Sequence, residues 1–202
     1  MRILDIGCGT GALMAELQSF GEVYGVDPSE KAIMFCQARG LWNVTRGSVT
    51  NIPYPDDYFD VILALDVLEH IEDDEKGISE TRRVLKPGGI SIIFSPAFNF
   101  LWSVTDELSE HYRRYTLNEI RSKLATGGFS ILQSSYFNTF LFLPILAIRL
   151  TVRLFQIPVQ SENEMVSENV NELLYKIFHL ESQFLPRVRF PFGVSVMVVC
   201  RK

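Results

Sequence analysis

A glycine-rich turn between two short apolar runs constrains this chain more than any other feature. Arg2-Ile3-Leu4-Asp5-Ile6 reads as a buried strand, Gly7-Cys8-Gly9-Thr10-Gly11 as the turn, and Ala12-Leu13-Met14-Ala15-Glu16-Leu17 as a helix. A second strand, Glu22-Val23-Tyr24-Gly25-Val26, ends at Asp27. Strand, glycine turn, helix, strand and acid is the order of a nucleoside-binding βαβ unit. The glycines let backbone approach a ligand where a Cβ would collide. Asp27 can accept two hydrogen bonds from a ribose diol, so the unit predicts an adenosine-type cofactor.

The turn is Gly-x-Gly-x-Gly, with Gly7, Gly9 and Gly11, and not the dinucleotide spacing Gly-x-Gly-x-x-Gly. With Asp5 in the strand before it, Leu4-Asp5-Ile6-Gly7-Cys8-Gly9-Thr10-Gly11 resembles motif I of the class I S-adenosylmethionine-dependent methyltransferases. Further segments fit that family in order. Val26-Asp27-Pro28-Ser29 resembles the end of its second strand. Phe59-Asp60-Val61-Ile62-Leu63-Ala64-Leu65-Asp66-Val67-Leu68-Glu69-His70 resembles its fourth strand and following loop, and Arg83-Val84-Leu85-Lys86-Pro87-Gly88-Gly89 the turn into its fifth. The resemblance covers roughly residues 2 to 135 and is nearest to the broad small-molecule group called type 11.

The resemblance implies S-adenosylmethionine as cofactor. Asp5 and the backbone of Gly7, Cys8, Gly9 and Gly11 would hold its methionine half, and Asp27 its ribose hydroxyls. Pro28 would line the adenine, while Leu65 and Asp66 would flank the methionine end. Many relatives carry Gly-Asp after the third strand, the acid meeting the adenine amino group. Here the pair is Gly47-Ser48, so Ser48 would offer an uncharged hydroxyl. The implied acceptor is a small molecule, hydrophobic or lipid-linked. Two rivals remain: a nicotinamide-dependent reductase, which the third glycine disfavours, and a non-catalytic scaffold that keeps the cofactor fold.

The 202 residues suit one domain. A formal charge of −5 argues against nucleic acid as the partner, because phosphate binding needs a basic surface. Cys8, Cys36 and Cys200 lie in no metal-ligand spacing and read as free thiols of a cytoplasmic protein. No signal peptide is read, since Met1 leads straight into a core strand. Relatives carry helices ahead of motif I, so a more open cofactor site is expected.

Alternating elements predict a doubly wound, mostly parallel α/β sheet covered on both faces. A helix is expected from Ser29 to Arg39, with Ser29 as cap and Gly40 as stop. The third strand is expected near Trp42 to Arg46, the fourth at Phe59 to Leu65 and the fifth at Ile90 to Ser95. Another helix follows from about Asp74 to Leu85. Thr116-Leu117-Asn118-Glu119 reads as a capping box opening a helix that stops at Gly127-Gly128. The sixth strand is expected near Phe129 to Tyr136 and the last near Val194 to Cys200. The family implies seven strands, the last antiparallel. A helical insertion at about 138–190 precedes it, with a polar stretch from Gln160 to Asn171 and a helix from Leu173 to Phe184.

Methyl transfer from a sulfonium is an in-line displacement that needs positioning, exclusion of water and, for some acceptors, proton removal. No metal is required by that chemistry, and none is assigned. His70, after the fourth strand, is one candidate base; the other reading is a histidine that bonds within its loop. His111, after the fifth strand, is a second candidate. Arg113 and Arg114 beside it would grip an anionic acceptor, or else pair with Asp106 and Glu107 to pin the loop.

The apolar run Phe140-Leu141-Phe142-Leu143-Pro144-Ile145-Leu146-Ala147-Ile148 is followed by Arg149 and Arg153. It is shorter than the roughly 20 residues that cross a bilayer. It reads as a core-packing helix, as a helix lying in a membrane interface with its arginines at the head groups, or as a dimer or lipid-binding surface. Peripheral membrane or lipid contact through residues 138–156 is thus one of the readings left open.

Overall fold

A computed structural model describes residues 1–155 and 167–202. The strands are β1 (Arg2–Ile6), β2 (Glu22–Asp27), β3 (Val44–Arg46), β4 (Phe59–Leu65), β5 (Leu85–Pro96), β6 (Ser130–Phe137) and β7 (Ser195–Arg201). They form a seven-stranded sheet in the order β3-β2-β1-β4-β5-β7-β6. The first five run parallel in sequence pairs across the sheet, and β7 runs antiparallel to both β5 and β6. This topology is the class I methyltransferase arrangement. A dinucleotide-binding sheet in its usual form is ordered 3-2-1-4-5-6 without an antiparallel strand between the fifth and sixth.

The helices are α1 (Ala12–Leu17), α2 (Glu30–Ala38), α3 (Asp74–Val84), α4 (Val104–Leu108), α5 (Leu117–Thr126), α6 (Phe142–Leu154) and α7 (Glu168–Phe184). Local chemistry sets several of their ends. Ser29 caps α2 by accepting the Ala32 N–H at 3.3 Å. At α5, the Thr116 hydroxyl accepts the Glu119 N–H at 3.3 Å, and Glu119 accepts the Thr116 N–H at 2.7 Å. Such caps are each worth about 1 kcal/mol.

Three elements differ from the sequence expectation. β5 begins at Leu85 and takes in Lys86-Pro87-Gly88-Gly89, which reads as a turn. The pairing explains both: Phe59 faces Leu85, but Val61 already faces Ile90, so the turn residues bulge within the strand's span. α4 stands in a segment expected as loop, because Ser103 and Asp106 form a capping box. α7 starts at Glu168 inside the expected polar stretch, of which residues 160–166 lie outside the described residues, as does residue 156 of the apolar segment.

The main core packs one sheet face against α3 and α5, with Leu4, Phe59, Ile62, Leu85, Ile120 and Leu124 fully buried. Each such side chain contributes about 1.5–3 kcal/mol by leaving water. A smaller cluster under α1 and α2 holds Ile3, Cys8, Met14, Cys36 and Leu63. All three cysteines are buried free thiols, and burial pushes the Cys200 thiol up to about 12.

Candidate functional site

The sheet order reverses direction between β1 and β4, and the carboxyl ends of those strands open a cleft there. That is where open α/β sheets bind ligands. The cleft is lined at one end by Asp27, Pro28 and Ser48 and at the other by Gly7, Asp66 and His70. Ile6, Val26 and Val49 supply apolar walls between them.

Gly7 is forced by geometry. Its φ is +69°, and an added Cβ would lie 2.9 Å from a Val67 methyl. Gly11, at φ +74°, would drive a Cβ to within 2.9 Å of the Cys36 sulfur. The turn is bound to the next strand as well. Asp27 Oδ2 accepts the Gly9 N–H at 2.9 Å and Oδ1 accepts the Ser29 N–H at 2.8 Å. An ionised carboxylate has about four acceptor positions. One on each oxygen therefore stays available for a vicinal diol in the cleft.

Asp5 is buried, and its pKa is raised to about 7, by desolvation first and by the Asp27 charge second. It stands behind the turn, outside the cleft wall. Cys8 turns its thiol into the small core cluster, so only its backbone faces the turn. Leu65 packs against the same cluster. Ser48 lines the cleft, where its hydroxyl is 2.9 Å from that of Thr50. Asp66 closes β4 in a left-handed conformation, φ +53°.

The segments after β4 and β5 are laced together beside Asp66. The Tyr112 N–H donates to the Glu69 carbonyl at 2.8 Å, and the Tyr115 hydroxyl bonds Asp74 at 2.7 Å. This brings the His70 and His111 rings edge to face, with centroids 4.5 Å apart. The His70 pKa is lowered, by desolvation first and by His111 second, which favours the neutral ring. His111 Nδ1 lies 2.8 Å from Asp106 Oδ1. Glu69, fully buried, accepts the Ser95 hydroxyl on Oε2 at 3.1 Å, and its Oε1 has no hydrogen-bond partner. Burial and then Asp66 raise the Glu69 pKa to about 8. One ligand atom each from Glu69, His70 and His111 lies within 4.8 Å of the others, so these residues could hold a metal ion.

Both arginines are held by carboxylates and carbonyls of the surrounding loops. Arg114 is buried and clasps both Asp106 oxygens, at 2.8 and 2.9 Å, while bonding the Ala97 carbonyl at 3.1 Å. Arg113 pairs with Asp74 at 3.0 Å and bonds the Glu72 carbonyl at 2.7 Å. Of the two sequence readings, the geometry matches the one in which ion pairs pin the loop. Glu69 is not among the site residues expected from the sequence. The available signal was the acid spacing Asp66-x-x-Glu69 directly before His70, in a chain with only three histidines.

A sheet with one antiparallel strand, a glycine turn and an acid at the next strand's end define a nucleoside-cofactor domain of the class I methyltransferase type. Residues 4–93, just under half of the chain, match the methyltransferase domain family, and this match together with the relatives that follow supports a class I S-adenosylmethionine-dependent methyltransferase of the type 11 group. A probable S-adenosylmethionine-dependent methyltransferase of Mycolicibacterium smegmatis is 30% identical over 135 residues, covering 64% of this chain and 52% of the relative. A ubiquinone biosynthesis O-methyltransferase of Bradyrhizobium is 35% identical over 98 residues, covering 46% of this chain and 39% of the relative. The chain thus spans at most about half the length of these two relatives. A crystal structure of an S-adenosylmethionine-dependent methyltransferase from Archaeoglobus fulgidus superposes with a TM-score of 0.64 at 21% identity, over 100% of this chain and 86% of that one. The family's cofactor is S-adenosylmethionine. The free acceptor positions of Asp27 and the close approach at Gly7 fit it.

Proposed function

We propose that this chain methylates a small hydrophobic or lipid-linked acceptor. The observation that carries this reading is the Asp27-to-Gly9 clasp at the mouth of a cleft whose far end holds His70, with the His111 ring packed against it. When bound, the cofactor supplies an electrophilic methyl group on a sulfonium. The protein's residues then divide the work. Asp27 orients the ribose, and the turn from Gly7 to Gly11 lets the backbone come close. Asp66 and His70 border the place where the acceptor would stand. The imidazole lone pairs there can take a proton from a hydroxyl or amine.

The hydrophobic character of the acceptor draws on the Bradyrhizobium relative's quinone role and on the surface beside the site. Phe98, Phe100, Tyr136 and Phe142 form a continuous ring cluster between β5 and α6. Beyond it, α6 and α7 carry exposed Leu143, Ile148, Leu154, Leu173, Tyr175 and Phe178. In this reading those faces rest on a lipid surface. Among the described residues, no helix is long and apolar enough to cross a membrane.

The test has two arms. Calorimetry with S-adenosylhomocysteine and with NAD should show binding of the first alone. Methyl-labelled cofactor incubated with a panel of catechols, sterols and simple amines should label the hydrophobic acceptors. Binding of NAD in preference would favour the reductase. Binding of the homocysteine product without turnover on any acceptor would favour the scaffold.

A further inference from the structure

We propose that Glu69, His70 and His111 form a binding site for a divalent first-row transition cation at the acceptor end of the cleft. The proposal rests on the reading of that end as the acceptor site for its purpose, but its existence is tested apart from it. Sequence spacing gave no metal ligands; the fold assembles them from two loops.

Four observations carry the inference. The first is composition: two imidazoles and one carboxylate converge within 4.8 Å, and this donor set suits zinc, iron, cobalt or manganese. At bonds of about 2.0–2.2 Å, tetrahedrally placed ligand atoms lie roughly 3.3–3.6 Å apart, so a bound ion would draw the three together by up to about an ångström. The second is the fully buried Glu69 carboxylate, whose Oε1 lacks any hydrogen-bond partner. A buried polar atom left unpaired is costly, and a cation would satisfy it.

The third observation is the support behind the rings. Metal-binding histidines usually commit their other nitrogen to a carboxylate or carbonyl. His111 does so through Nδ1, 2.8 Å from Asp106 Oδ1, which aims Nε2 away from the clasp. Asp106 is itself fixed by Arg114 on both oxygens and by the Ser103 N–H at 2.8 Å. A five-residue helix, a buried arginine and a capping serine thus hold one imidazole in one orientation. The fourth is position. His70 lines the same cleft as Asp66 and Gly7, so the cluster meets the cofactor's methionine end.

Three protein ligands leave coordination positions open, as catalytic sites do. A bound cation would hold an acceptor hydroxyl there and lower its pKa. The proton would pass to water, and the oxygen would be ready to attack as an oxyanion. The acceptor class this implies carries an oxygen at the methylation point, with a second oxygen beside it to complete the chelate.

The test uses the full chain after treatment with a chelator. Co²⁺ is titrated while visible absorption is followed, and Zn²⁺ is titrated by calorimetry. One equivalent of each should bind. His70→Asn and His111→Asn should each lose at least about ten-fold in affinity, and Asp106→Asn about 10–100-fold. S-adenosylhomocysteine binding on the same samples reports whether each variant is folded and the cofactor cleft intact. If Asp106→Asn fails that check, His70→Asn decides, because its ring is at the surface and carries no core packing. Absence of Co²⁺ and Zn²⁺ binding in wild type that still binds S-adenosylhomocysteine overturns the metal site and leaves the cofactor reading standing. Unchanged affinity in both folded histidine variants overturns it too, since the ion would then lie elsewhere. Metal binding without S-adenosylhomocysteine binding supports the site and sinks the methyltransferase reading instead.

Discussion

Asp27 Oδ2 accepts the Gly9 N–H at 2.9 Å, so the acid that would hold the ribose also holds the glycine turn. One side chain thereby couples the end of β2 to the loop after β1. Asp27→Ala should weaken S-adenosylhomocysteine by about 1–3 kcal/mol through lost charge-assisted hydrogen bonds. Asp27→Asn keeps one acceptor and should fall between. Calorimetry measures both, and unchanged affinity in the alanine variant would remove Asp27 from the ribose.

Asp5 makes the free protein's stability fall with rising pH. Its pKa is about 7 in the fold, raised by burial and by Asp27, against 3.8 as the ordinary value. Between those values the folded chain holds a proton that the unfolded chain has lost. Stability from this group is therefore full below about 3.8 and declines as pH rises toward 7, then levels off. The slope is at most about 1.4 kcal/mol per pH unit. Asp5→Asn should flatten the dependence across that window. Denaturant melts of both proteins at several pH values check it, and parallel curves would refute it.

Arg114 is a structural anchor, and its loss should appear in stability. Arg114→Ala leaves Asp106 buried without its partner, which costs about 3–5 kcal/mol when a buried ion pair is broken. A urea melt should show that drop. A variant of wild-type stability with only a raised acceptor KM would restore the acceptor-gripping role.

His111→Ala should lower turnover while S-adenosylhomocysteine affinity stays nearly unchanged, because the ring lies at the acceptor end and not along the nucleoside. Initial rates and calorimetry on the same preparation separate the two effects. Full activity in the variant would confine His111 to bracing Asp106.

Lipid association should depend on the exposed side of α6. Phe142 is the wrong probe, since it is buried against Phe98 and Phe192. Arg149 is turned inward as well, donating to the Leu101 carbonyl. Leu143, Ile148, Leu154 and Phe155 face outward, with Arg153 exposed near them. Flotation with anionic vesicles should recover the wild type at low salt and less of it at high salt. Ser at Leu143 and Leu154 together should reduce recovery, and wild type remaining with the soluble fraction at low salt would return α6 to ordinary packing.

Much of the nucleotide half was readable from the chain, because its signals are local. An apolar run, a glycine turn and an acid at the next strand's end lie in consecutive residues, and each limits the backbone at its own position. The caps at Ser29 and Thr116 are of the same kind. The acceptor end was not readable in this way. Glu69 and His70 follow β4, whereas Asp106, His111 and Arg114 follow β5. No local periodicity relates those segments; they meet because β4 and β5 pair in parallel and both open toward the same edge. The same pairing decided that Lys86 to Gly89 bulge inside a strand. Tertiary packing also decided that Arg114 faces Asp106, since the buried carboxylate offers both of its oxygens to the guanidinium. Local motifs, through their resemblance to a known family, thus indicated which cofactor the chain is built around. Which side chains stand across from it was decided by strand order, through contacts between residues far apart in sequence.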